Sequence, residues 1–144
     1  MNRRLFGTDG IRARFGEEPL TPATVRRIGL AVGELLLLST PNSDLRRVFV
    51  GGDTRASTPE LASWLLQGLA AAGTGMETVS LGVLPTPAIA WWTARERGAG
   101  GVAISASHNP AEDNGIKLID GAGFKWSAAA EAAVERRLAS VDDP

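Results

Sequence analysis

An alternation of two periodicities constrains this chain most. Short β-branched or small-residue runs, RRVFVGGD (Arg46–Asp53), METVSLG (Met76–Gly82) and GGVAISA (Gly100–Ala106), are separated by segments of helical spacing. A strand, a helix and a second strand of one sheet make a crossover unit. The pattern therefore predicts an α/β layered domain with a largely parallel sheet.

The punctuation supports this. From Leu20 to Leu38 a helix is expected, with Thr21 as N-cap, Pro22 at the first helical position, and Val25, Ile28, Val32 and Leu35 at helical spacing. Ser39-Thr40-Pro41-Asn42-Ser43 breaks it. A second helix runs through STPELASWLLQGLAAAG, with Thr58 as N-cap, Pro59 next and Gly73 near its C-cap. Pro85 and Pro87 bracket a turn into a third helix, from Ala88 to about Arg97. GIKLID (Gly115–Asp120) is a fourth strand, and Ala128–Leu138 a last helix carrying Glu131, Glu135 and Arg136 on one side. Nothing helical separates the third and fourth strands, so that pair is expected to be antiparallel.

Composition closes off several function classes. A chain of 144 residues at 44% hydrophobic and 22% charged suits one domain with a hydrophobic core. A net charge of −1 gives no electrostatic footprint for nucleic acid or an anionic membrane. Without cysteine there is no disulfide scaffold, thiolate metal site or cysteine nucleophile, and one histidine makes no histidine-rich metal site. MNRRLFGTDG has no apolar run behind its basic residues, and the longest apolar run, near Leu35–Leu38, is far below membrane-span length. A cytoplasmic protein is expected.

Ligands of open α/β sheets sit outside the carboxyl ends of the strands. Three polar loops leave such ends: GGDTRAST (Gly51–Thr58), GVLPTP (Gly82–Pro87) and ASHNPAEDNG (Ala106–Gly115). A fourth, FGTDGIR (Phe6–Arg12), lies near the N-terminus. If the strand continued through Ser107 and His108, their side chains would point to opposite faces and could not form a nucleophile–base pair. Phosphoryl transfer through a hydroxyl fits better, because an anionic group in transfer needs positive charge and backbone donors around it. Arg12, Arg55 and Lys117 supply charge in or beside these loops, and a lysine also serves as general acid or base. The plainer readings stay open: a turn for Ser-His-Asn-Pro, solvated surface charges for both arginines, and an outward strand position for Lys117. Asp113-Asn114-Gly115 reads as a turn without chemistry. Trp91-Trp92 reads as core or as a domain contact.

Taken together, ISASHNPAEDNGIK, FGTDGIR and GGDTRAST resemble the α-D-phosphohexomutase superfamily. The resemblance runs over essentially the whole chain yet covers only the first of that family's four domains, a three-layer α/β/α unit expected here over 1–144 with a mixed, mostly parallel sheet of about four strands. Asp142-Asp143-Pro144 falls at the expected domain boundary. The family interconverts 1- and 6-phosphosugars through a bisphosphorylated sugar, using a phosphoserine that gives and recovers a phosphoryl group.

The resemblance implies that Ser107 is the phosphoserine, with His108 contacting phosphate or substrate, Lys117 in acid–base work and Arg12 near the reacting phosphate. It further implies that Asn109, Arg55, Thr8 and Asp9 bind substrate or phosphate, Arg55 from a loop that helps order the site. Mg²⁺ is implied as cofactor, held by three aspartates of a metal loop absent from this chain plus an oxygen on Ser107. The Ser-Ala-Ser-His-Asn-Pro spelling is nearer the branch acting on glucosamine phosphates, with glucosamine 1,6-bisphosphate as intermediate and UDP-GlcNAc for peptidoglycan downstream. Mannose or glucose phosphates, and a non-catalytic phosphosugar-binding domain, are the alternatives. A homodimer of the full-length enzyme is also implied. Ala13 replaces the glycine usual after Ile-Arg, which would restrict the backbone there.

Overall fold

The computed structural model describes residues 4–40 and 46–144. Over these, the chain runs β1 (Ile11–Arg14), α1 (Pro22–Ser39), β2 (Arg47–Gly52), α2 (Thr58–Ala71), β3 (Glu77–Val83), α3 (Thr86–Arg95), β4 (Gly100–Ile104), β5 (Asp113–Asp120) and α4 (Ala128–Leu138). The strands form one sheet in the order β1-β5-β4-β2-β3. β2 is parallel to β3 and β4, whereas β5 is antiparallel to both β4 and β1. The antiparallel β4–β5 pair agrees with the absence of a crossover helix between them.

Alternation of side chains sends Val48, Val50, Val102, Ile104, Ile116 and Leu118 to one face, where they join Val25, Ile28, Leu61, Leu65, Val134 and Leu138 of α1, α2 and α4. Ala103 and Ile119 face the other way and pack on Ile89 of α3. Three layers result. α1 and α2 cross closely because glycines line the crossing: a Cβ on Gly68 would lie 2.0 Å from the Arg26 carbonyl oxygen, and one on Gly29 would lie 2.4 Å from that of Leu65.

Several expectations are corrected. The sheet has five strands, because Ile11–Arg14, whose first two residues fall in the expected Phe6–Arg12 loop, pairs along β5 with Ile11 opposite Ile116 and Arg12 opposite Gly115. Asp113-Asn114-Gly115 opens β5; the turn comes earlier, closed by the Asp113 amide on the Pro110 carbonyl at 3.0 Å. Gly115 answers to close packing there, since a Cβ would meet the Ile11 and Ser105 carbonyl oxygens at 2.6 Å each.

The N-cap of α2 is Ser57, and Thr58 is helical and buried. Thr21 caps α1 by position only, its hydroxyl donating to Glu18 at 2.7 Å. α3 begins at Thr86, with Pro87 in its first turn. Trp91 and Trp92 are 55% and 37% exposed, which removes the core alternative and leaves the domain contact. The charged residues of α4 divide: Glu131 is buried and paired with Lys125 at 2.6 Å, Glu135 accepts the Leu5 and Phe6 amides, and Arg136 is exposed. Ser39 still belongs to α1, and Pro41, Asn42 and Ser43 of the expected break lie outside the described residues.

Candidate active site

The carboxyl ends of β2 and β4 lie side by side, with Gly52 opposite Ile104. Both strands stop there, and each releases a loop. After β4 the backbone leaves extended geometry, and Ser107 takes φ +56, a left-handed conformation that a non-glycine residue adopts only at a cost. Its amide donates to Ser105 Oγ at 3.1 Å, and the Asn109 amide donates to the Ala106 carbonyl at 3.1 Å. The turn holds both Ser107 and His108 exposed. It also brings Ser107 Oγ within 3.3 Å of His108 Nδ1, so the separation expected from strand alternation does not arise, because the strand has already ended.

Arg55, from the loop after β2, reaches across this segment. Its Nε donates to Asp53 Oδ2 at 3.1 Å. Nη1 donates to the carbonyls of Pro110 and Asp113, the latter at 2.9 Å, and Nη2 to those of Ser107 and Asn109 at 3.1 and 2.9 Å. A guanidinium has five N–H donors, and these bonds use them all.

Asp53 in turn accepts the Arg55 amide and the Thr58 hydroxyl, the latter at 2.8 Å. Partial burial pushes its carboxyl up. The hydrogen bonds from the Arg55 amide, Thr58, Ser105 and the Arg55 side chain outweigh this and hold it below the ordinary aspartate range. Asn114, fully buried on the α2 side of the sheet, donates to Ser57 Oγ at 2.8 Å and to Thr58 Oγ1 at 3.1 Å, and accepts the Gly115 amide at 2.8 Å.

The other candidates meet on the opposite face. Arg12 stands opposite Gly115 and Lys117 opposite Ala103, so alternation along β5 puts both on the α3 side of the sheet. Arg12 Nη1 donates to Asn109 Oδ1 at 3.4 Å and lies 4.0 Å from Asp9, while its buried Nε has no hydrogen-bond partner. Asn109 Nδ2 donates to Asp113 Oδ2 at 3.1 Å, so this asparagine bridges β1 and β5.

Thr8 and Asp9 are exposed at the tip of a tight turn closed by the Gly7 amide on the Gly10 carbonyl at 2.9 Å. Gly10, at φ +84, lets the turn lie against the Lys117 stem, its would-be Cβ only 3.1 Å from Lys117 Cγ. Ala13 is extended in β1, where its φ is not positive, and the expected restriction does not strain it.

Arg12, Asn109, Arg55 and the Ser107 backbone thus form one bonded group, with Lys117 on the same face as Arg12. Asp53, Thr58 and Asn114 join it without having been expected. Among the described residues no three His, Cys, Asp or Glu side chains cluster as metal ligands. Those residues do not by themselves fit a Mg²⁺ ion.

The fold presents an exposed serine on a stapled loop at the carboxyl end of β4. Residues 3–144 match the family described as phosphoglucomutase/phosphomannomutase, alpha/beta/alpha domain I, and the chain belongs to that family. It is similar to the phosphoglucosamine mutase of Halorhodospira halophila, 48% identical over 136 residues, which cover 94% of this chain and 29% of that protein. It is likewise similar to that of Thiobacillus denitrificans, 44% identical over 147 residues, covering 100% of this chain and 31% of that protein. A solved phosphoglucomutase/phosphomannomutase family protein from Burkholderia thailandensis superposes with a TM-score of 0.76 at 29% identity, covering 94% of this chain and 30% of that one. The chain therefore spans less than a third of the length of these relatives. Among the described residues, no helix is long and apolar enough to cross a membrane.

Proposed function

We propose that this chain is the phosphoryl-carrying first domain of a phosphoglucosamine mutase, interconverting glucosamine 6-phosphate and glucosamine 1-phosphate. One observation carries the reading. Beside the exposed Ser107 loop stands Arg12, bonded to that loop through Asn109 and keeping a buried guanidinium N–H without a partner. A buried cationic donor left unmatched is costly unless an anion takes it, and a phosphoryl group is such an anion.

In the forward half-reaction, the free sugar hydroxyl oxygen attacks the phosphorus on Ser107. The P–Oγ bond breaks, and the serine oxygen leaves with the electron pair. Lys117 takes the hydroxyl proton, and Arg12 bears the charge on the transferring oxygens. The bisphosphorylated sugar, glucosamine 1,6-bisphosphate, then returns its other phosphoryl group to Ser107 Oγ. Mg²⁺, if bound in the complete gene product, would supply charge neutralisation; this chain would offer it only an oxygen of the Ser107 phosphate, and the other ligands would have to come from outside this chain. His108, Thr8 and Asp9 line the approach to the phosphate. The setting is cytoplasmic and homodimeric, without nucleic acid, and supplies amino sugar for peptidoglycan precursors.

The test is turnover of glucosamine 6-phosphate by the complete gene product, with and without Ser107→Ala, and intact mass to find one added phosphoryl group. Undiminished turnover in the alanine variant would sink the proposal. A second reading, mannose or glucose phosphates as substrate, is favoured by the solved family member being a phosphoglucomutase/phosphomannomutase protein. A substrate panel separates the two. Binding of a sugar phosphate without any turnover would favour a non-catalytic domain.

A further inference from the structure

Ser107 sits in a backbone conformation it would not choose, and a single line of hydrogen bonds runs from the core to its carbonyl. Asn114 is at the root. Its carboxamide oxygen takes the Gly115 amide, which fixes the NH₂ group toward Ser57 and Thr58. Because Thr58 Oγ1 accepts from Asn114, its one proton is free to go to Asp53 Oδ1, 2.8 Å away. Asp53, so seated, presents Oδ2 to Arg55 Nε and Oδ1 to the Arg55 amide. Arg55 then delivers its remaining donors to four carbonyls of the Ser107–Asp113 segment, that of Ser107 included. The donors converge on the Asp53 carboxylate, from Thr58 on one side and from Arg55 on the other, and Arg55 carries the line on into the turn.

We infer that Thr58, Asp53 and Arg55 are positioning residues for Ser107. Through this relay they hold its left-handed backbone and thereby aim its Oγ, and Arg55 is not a phosphate ligand in this state. The reason is one of inventory. All five Arg55 donors are committed to Asp53 and to the loop, whereas Arg12, bonded to the same loop through Asn109, keeps a buried Nε–H without a partner; among the described residues Arg47 Nε, at the opposite end of β2, is the other. A side chain with no donor to spare supports an anion's carrier rather than the anion. Thr58 is 8% exposed and reaches the Ser107 loop through Asp53 and Arg55, while Asn114 anchors it on the other side.

The inference rests on Ser107 being the phosphoryl carrier, and the test is arranged so that the two fail separately. Thr58→Val removes the relay hydroxyl at nearly constant shape, Thr58→Ser restores it, and Arg55→Lys keeps the charge but loses the fork. In the 144-residue chain, amide hydrogen exchange at Ser107, Asn109 and Asp113 is expected to speed up in Thr58→Val and Arg55→Lys. It should stay unchanged in β2 and β4 and return toward the parent in Thr58→Ser. In the complete gene product, kcat is expected to fall toward the ~10²-fold that a misplacement of about 1 Å costs. KM for glucosamine 6-phosphate should stay within about twofold, as for an interaction realised only in the transition state. Unaltered exchange in the turn of both variants would overturn the relay, as would a raised KM at unchanged kcat in Arg55→Lys, the signature of a lost phosphate contact. If the parent enzyme turns over no sugar phosphate at all, the mutase reading falls, and the exchange data alone decide for or against the relay.

Discussion

Asn114 donates to Thr58 across 56 positions of sequence and ties the first turn of α2 to the start of β5. The residue is fully buried, and its carboxamide serves three partners. Replacing it with alanine leaves the Gly115 amide and two hydroxyls to find new partners in a dry environment. Asn114→Ala is expected to cost about 1–3 kcal/mol, measured by urea unfolding of the 144-residue chain. A loss no greater than that of an exposed Asn or Gln change would show that water replaces the carboxamide.

Ser107 gives the opposite sign. A left-handed backbone costs an L-residue about 1–2 kcal/mol and costs glycine almost nothing. Ser107→Gly is therefore expected to raise the melting temperature of the chain above that of Ser107→Ala, while neither variant accepts a phosphoryl group. If the alanine variant melts higher, the φ of +56 is not a source of strain.

Acid stability follows from Asp53. Burial pushes its carboxyl up, but the bonds from the Arg55 amide, Thr58, Ser105 and the Arg55 side chain hold the folded-state value below the ordinary one. A depressed carboxyl contributes stability that is fully present above its unfolded value and is lost as pH falls through the folded value. The window thus lies below about pH 4, where free aspartate titrates. Glu34, lowered mainly by its bond from Arg137 against a smaller opposing burial effect, loses its contribution in the same direction. In Asp53→Asn, the drop in unfolding free energy below pH 4 is expected to be shallower than in the parent. Parallel acid limbs in the two proteins would deny Asp53 this role.

Lys117 belongs to a different class of test. Its stem packs beside Gly10, and its backbone stands opposite Ala103. In the complete gene product, Lys117→Ala is expected to lower kcat far more than it raises KM, since proton transfer is a transition-state interaction. A rise in KM with kcat intact would make the lysine a binding group instead.

The layered fold was readable because its determinants are local. β-branched runs, Thr-Pro and Ser-Thr-Pro helix starts and glycine punctuation each act within a few residues, and β2, α2, β4 and α4 follow from them. What escaped notice depends on distant partners. β1 is four residues long, with Ile11 buried and Arg14 exposed, and only pairing with β5 makes Ile-Arg-Ala-Arg a strand. Asn114-Gly115 has the strongest local turn signal in the chain, yet Ser57 and Thr58 draw the asparagine inward and close packing claims the glycine. Of the candidate site, the Ser107 loop, Arg12 and Lys117 stood out as polar residues at strand ends, and only the family resemblance attached roles to them. Asp53 carried no expectation and Thr58 only that of a helix cap, although both sit inside the GGDTRAST motif. An aspartate two positions before an arginine and five before a buried hydroxyl was the signal available.

The Arg12–Asn109 contact joins residues 97 positions apart, and Glu135 holds the Leu5 amide across 130. Closing a loop of about 100 residues costs roughly 4 kcal/mol in chain entropy, to be met by contacts that exist only once it is closed. During synthesis Arg12 leaves the ribosome long before β5 does. It must wait for nearly the whole domain before it acquires its place beside the serine loop. The Arg12–Asn109 contact is therefore a late product of folding, and a nascent or nicked chain retaining β2, β3 and α2 would have core packing without it. The Ser107 loop meets Arg12 only in a molecule that has already brought β1 against β5.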